Sequence, residues 1–125
     1  MRPEVEGLLR QAEEDAITAQ GLIEARRWYA SVFFSHQVAE KSLKALYIID
    51  KAELPATHDL VKLCRGLAAP ETVLAGARRL NRHYTTTRYP DAANGVPADQ
   101  YDEAQAREYQ GIAQVIVAWV NSKIA

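Results

Sequence analysis

Three groups of residues in this 125-residue chain carry side chains able to do chemistry. The first is His36, Gln37, Glu40, Lys41 and Lys44, spaced to form one narrow polar stripe on an otherwise apolar helix. Glu40 precedes Lys44 by one helical turn, the favourable order for an ion pair along a helix. The second is the basic run Arg78, Arg79, Arg82 and His83. The third is Arg88-Tyr89-Pro90-Asp91. Here a guanidinium can hold a phosphate or carboxylate, a phenol ring offers a stacking face, and Asp91 can cap the turn or anchor Arg88. Each group also has a purely structural reading. The stripe is then the solvated side of a core helix, the basic run complements the negative end of a helix dipole, and an Arg88–Asp91 pair braces a loop.

Other chemistries find no residues to carry them. His36, His58 and His83 have no companion carboxylates or thiols at ligand spacing, so no metal site is expected, and His58 reads as local capping or packing. There is no nucleophile constellation, Gly-rich phosphate loop or paired-carboxylate motif, and no cofactor is called for. The chain is 48% hydrophobic and 25% charged, with a net charge of −1. That balance predicts no bulk attraction to nucleic acid or to a membrane, and it disfavours tight binding to long RNA, which needs an extended basic surface. The single cysteine, Cys64, excludes an internal disulfide and fits a reducing compartment. No apolar run approaches the length needed to span a bilayer, and no signal peptide is evident, so a soluble cytoplasmic protein is expected.

The elements that must position these residues are helical. Trp28 to Lys51 holds no Gly or Pro, and Trp28, Val32, Ala39, Leu43 and Leu46 recur at helical spacing with Tyr29, Phe33, Tyr47 and Ile48 beside them. A helix so widely apolar must be the central helix of a bundle. Pro3 to about Ala25 is amphipathic, with Val5, Leu8, Leu9, Ala12, Ala16, Ala19, Leu22 and Ile23 on one face, and a short link makes it an antiparallel hairpin with the central helix. Leu54-Pro55-Ala56 is a turn; Thr57 reads as the N-cap of a short third helix that Gly66 helps to end. A fourth helix begins at Pro70-Glu71. Thr85 to Pro97 is expected to be irregular, and a final helix runs from Asp99 or Asp102 to Lys123. The expected fold is a single all-α domain over residues 1–125: an antiparallel up-and-down bundle of four long helices and one short one.

In combination, Ala39–Tyr47 (AEKSLKALY), Pro55–Leu63 (PATHDLVKL) and Leu80–Asp91 (LNRHYTTTRYPD) resemble the HEPN family. The resemblance covers nearly the full chain and implies a HEPN up-and-down bundle, commonly a homodimer. Many HEPN proteins are paired with a minimal nucleotidyltransferase as a toxin–antitoxin system. The family's best-known activity, metal-independent RNA cleavage, uses an Arg separated by four to six residues from a His, and Arg78 to His83 meets that spacing. By that resemblance Arg78 clamps the scissile phosphate and His83 exchanges a proton with the 2′-hydroxyl or the leaving oxygen. The residue two places after His83 is Thr85, where the toxin pattern has a tyrosine able to accept AMP from the partner.

Arg88–Asp91 is similar to the signature of a HEPN branch that lacks a clear nuclease motif. The reading favoured by these residues is therefore a binding module, engaging a nucleotide, an RNA or a partner nucleotidyltransferase through Lys41, Lys44, Arg82, Arg88, Tyr89 and Asp91. The ribonuclease toxin acting through Arg78 and His83 is the alternative. If the segment after His83 folds over the Gln37–Lys44 stripe, the two polar elements line one cleft.

Overall fold

A computed structural model describes all residues, 1–125. The elements are α1 (Pro3–Glu24), α2 (Trp28–Lys51), α3 (Leu60–Gly66), α4 (Glu71–Asn81), α5 (His83–Thr86), α6 (Pro90–Ala93), a 3₁₀ turn (Pro97–Asp99) and α7 (Glu103–Ile124). There are no strands, and the all-α class stands as expected. The helix inventory differs from the expectation: α1, α2 and α7 are long, α4 is of intermediate length, α3 is short, and two single turns fill the stretch expected to be irregular.

The three-residue link after α1 forces an antiparallel hairpin. Ser31 near the start of α2 donates to the Ala19 carbonyl at 2.8 Å, while Val5 near the start of α1 packs with Ala45 and Ile48. Small residues on α2, namely Ser31, Ser35, Ala39, Ser42 and Ala45, are all buried and let neighbouring backbones come close. Helix α7 lies along α2 in the same direction: Val32 clusters with Ala106, and Leu46 shares a surface hollow with Trp119 and Lys123. Helix α4 runs against α7, pairing Arg79 with Glu108 and seating Gly76 against Ile112. The order is thus up, down, up, down, with α2 at the centre touching α1, α3 and α7. The main core joins Ala39, Leu43, Leu60, Leu63, Leu80, Ile116 and Val120, among others.

Local caps refine two expectations. Asp59, not Thr57, caps α3, accepting from the backbone N–H groups of Val61 at 2.9 Å and Lys62 at 3.2 Å. Thr57 Oγ1 instead accepts from the Asp59 N–H at 3.1 Å. Asn81, at the far end of α4, donates to Asp59 Oδ1 at 3.0 Å and accepts from the Leu60 N–H at 2.8 Å, stapling α3 to α4. Gly66 is needed for close approach rather than for termination: a Cβ there would stand 2.7 Å from the Tyr47 ring. At α7, Asp102 and Gln105 form a reciprocal capping box.

Candidate functional site

The polar stripe of α2 is not a solvated face. His36 and Glu40 are buried, and the Lys44 side chain is only 13% exposed. What covers them comes from two distant segments, the turn before α3 and the single turn α5. Glu40 gathers the polar groups: Lys44 Nζ lies 3.1 Å from Oε2, His58 Nδ1 lies 3.0 Å from Oε1, and His36 Nδ1 stands 3.8 Å away. His58 therefore serves as a partner for a buried carboxylate on α2 rather than as a local cap. A buried carboxylate without such partners would be strongly destabilising.

On this base sits a stack of rings. Tyr84 lies on His58 with centroids 4.2 Å apart and planes nearly parallel, and it tilts against His36 at 5.3 Å and Phe33 at 6.1 Å. The Arg88 guanidinium lies 4.0 Å from the Tyr84 centroid, 4.9 Å from Tyr89 and 5.5 Å from Phe33. Its Nε donates to the Tyr84 carbonyl at 2.7 Å. No Arg88–Asp91 brace forms. Asp91 is exposed in the first turn of α6, and Arg88 is held by aromatic faces and a backbone carbonyl. Phe33, assigned to the core from its apolarity, is half-buried and packs beside this stack.

The other sequence-predicted residues disperse. Lys41 pairs with Asp15 of α1, a buried carboxylate that also accepts from Gln11 at 2.9 Å. Nothing in the local pattern marks Asp15, since its partner stands 26 residues away. Arg78 is exposed and paired with Glu71 at 2.7 Å. His83 is 1% exposed, its Nδ1 hydrogen-bonded to the Tyr101 hydroxyl at 2.6 Å and to Thr86 Oγ1 at 3.1 Å. The cavity His83 lines contains Arg82, not Arg78. Tyr89 is half-exposed at the rim of the Arg88 stack.

Burial dominates the titration of both inner histidines. It pushes His36 down to about 4 against the opposing pull of Glu40, and it pushes His83 down to about 4 with help from the Arg82 charge. Both are neutral imidazoles at neutral pH. Cys64, buried in the core, has its thiol pushed up to about 11 and is not a nucleophile. No three His, Cys, Asp or Glu side chains converge in an arrangement able to hold a metal ion.

The sequence profile of the HEPN domain matches residues 5–123. The chain belongs to the HEPN domain family. Two solved structures agree with that assignment over their full lengths. The crystal structure of TT1696 from Thermus thermophilus is similar at a TM-score of 0.89 and 30% identity, covering 98% of this chain and 99% of that one. The crystal structure of ST0689, described as an archaeal HEPN homologue, is similar at a TM-score of 0.86 and 32% identity, covering 100% of both chains. No curated protein matches the sequence. No helix of this HEPN chain is long and apolar enough to cross a membrane.

Proposed function

We propose that this HEPN protein is a binding module for a phosphate-bearing ligand, a nucleotide or a short RNA, held against the Arg88 stack where α2, the turn before α3 and α5 meet. The observation that carries this reading is Arg88. Its guanidinium is exposed, spread over three aromatic rings and tied only through Nε, leaving its terminal N–H groups free of any carboxylate. That is the geometry in which an arginine meets a phosphate bidentately. Half-exposed Tyr89 beside it offers a face for a base, and the exposed edge of His58 adds a further polar group. The net charge of −1 favours a short ligand over a long polymer. In keeping with the family resemblance, the protein acts as a homodimer and as the HEPN half of a cytoplasmic HEPN–nucleotidyltransferase pair of the toxin–antitoxin type.

The test is a titration of AMP and of a short single-stranded RNA into wild type and Arg88→Ala. Loss of a charge-assisted contact to phosphate is expected to weaken binding by about tenfold to a hundredfold. An Arg88→Ala variant that binds normally but melts several degrees lower assigns Arg88 to bracing the loop and removes the ligand role.

The second reading is metal-independent RNA cleavage through Arg78 and His83. A neutral His83 at neutral pH is what a general base requires. Against it stand the near-complete burial of His83 and the pairing of Arg78 with Glu71. Expression of the chain alone should leave RNA intact and growth unaffected. RNA cleavage without added metal that His83→Ala abolishes would reverse this preference.

A further inference from the structure

The single turn α5 faces two ways. Tyr84 enters the Arg88 stack, while the preceding His83 faces α7, against Tyr101 and Tyr109. Beside His83 lies a separate, half-open pocket of about 380 Å³, bordered by the arm from α6 to the start of α7. Its polar wall includes Arg82, His83, Thr86, Asn94, Tyr101 and Gln105, and no carboxylate lines it. Gly95, at φ 148°, takes a backbone conformation that other residues rarely adopt and so lets the arm turn here.

The hydrogen bonds inside this wall tie three of its side chains together. Thr86 Oγ1 and the Tyr101 hydroxyl are 2.6 Å apart, and the Tyr101 hydroxyl is 2.6 Å from His83 Nδ1. Thr86 Oγ1 also lies 3.1 Å from His83 Nδ1, so His83, Thr86 and Tyr101 form one mutually hydrogen-bonded group. His83 Nε2 has no exposed surface and no hydrogen-bond partner, so it is not part of the pocket wall. Nearby, the Arg82 charge is close enough to influence both His83 and Tyr101. The Gln105 side-chain oxygen is committed to the α7 capping box, which leaves its amide N–H groups as donors. The wall is therefore rich in donors, carries one cation and lacks any anion.

We propose that this pocket is a second ligand site, for a small molecule bearing an oxyanion, phosphate or carboxylate, with Arg82 as its charge partner. It uses none of the residues on which the Arg88 cleft depends, so the two sites stand or fall separately. Its volume lies in the range of small-molecule pockets.

Calorimetric titration of the intact protein with inorganic phosphate, and separately with acetate, tests the proposal. Saturable binding of phosphate to wild type and to Arg88→Ala is expected, weakened by about tenfold or more in Arg82→Gln and restored in part by Arg82→Lys. Matching melting curves for wild type and Arg82→Gln would exclude misfolding as the cause. The nitrogen resonances of His83 should shift on saturation, which a diffuse ion atmosphere would not produce. Acetate binding with the same Arg82 dependence places the ligand among carboxylates, and phosphate binding alone places it among phosphates. No saturable binding of either anion to wild type overturns the proposal, as does Arg82→Gln binding like wild type. Loss in Arg88→Ala with retention in Arg82→Gln would return the phosphate to the cleft and also overturn it.

Discussion

At the scale of single residues, the two inner histidines make the fold sensitive to acid. In the folded chain His36 and His83 take up protons only near pH 4, whereas the unfolded chain does so near 6.5. Between those values the unfolded state binds more protons, so stability falls as pH is lowered and recovers as it is raised. At pH 5 each histidine is expected to contribute a loss of about 2 kcal/mol relative to neutral pH, accumulating further down to about pH 4. Urea midpoints measured at pH 7 and pH 5 give the slope. His83→Gln should lower stability at pH 7 yet remove close to half of the pH dependence. A variant with an unchanged slope would mean that His83 is already charged, or accessible, in the folded state.

At the scale of elements, what covers the α2 stripe decides how its charges behave. A solvated stripe would make Lys44→Ala almost silent. Here the substitution leaves Glu40, 5% exposed, with only His58 as a well-placed partner, and a cost of about 1–3 kcal/mol is expected. Leu43→Ala, which opens a cavity at a fully buried core position, should cost about 2–5 kcal/mol and remain the worse of the two. Thermal melts of both variants check the ranking, and a silent Lys44→Ala would show the stripe open to water. The long helices were legible because apolar positions repeat over many turns in α1, α2 and α7. The single turns α5 and α6 have too few residues for any period, and Thr-Thr-Thr and Pro-Asp discourage a long helix without forbidding one turn. The cleft was half legible. Arg88, Tyr89 and Lys44 stand out by type, but the Glu40–His58 and Asp15–Lys41 pairs span 18 and 26 residues, and no local spacing reveals them. The staple from Asn81 to the α3 cap was hidden for the same reason.

At the scale of the whole molecule, the bundle leaves apolar side chains without cover on three helices. Ile17 on α1 is 67% exposed, Ile49 on α2 46% and Val115 on α7 51%. Between α1 and α7, where the two helices meet only lightly over α2, a hollow of about 270 Å³ is lined largely by small apolar residues such as Ala16, Ala19, Ala113 and Ala118. A surface of this kind is self-complementary when two copies meet across a two-fold axis, because each supplies both the projecting side chain and the hollow. The expected outcome of light scattering at micromolar concentration is therefore the mass of two chains. Charges placed at the exposed apolar positions locate the contact: Ile17→Lys should shift the mass toward one chain if the α1–α7 side is the interface, while Ile49→Lys, and Val115→Lys in the groove between α4 and α7, should leave it unchanged. None of these substitutions touches Arg88 or Arg82, so ligand binding by the monomeric variant would show that each site is built within one chain. A wild-type mass of one chain across the concentration range would remove the dimer.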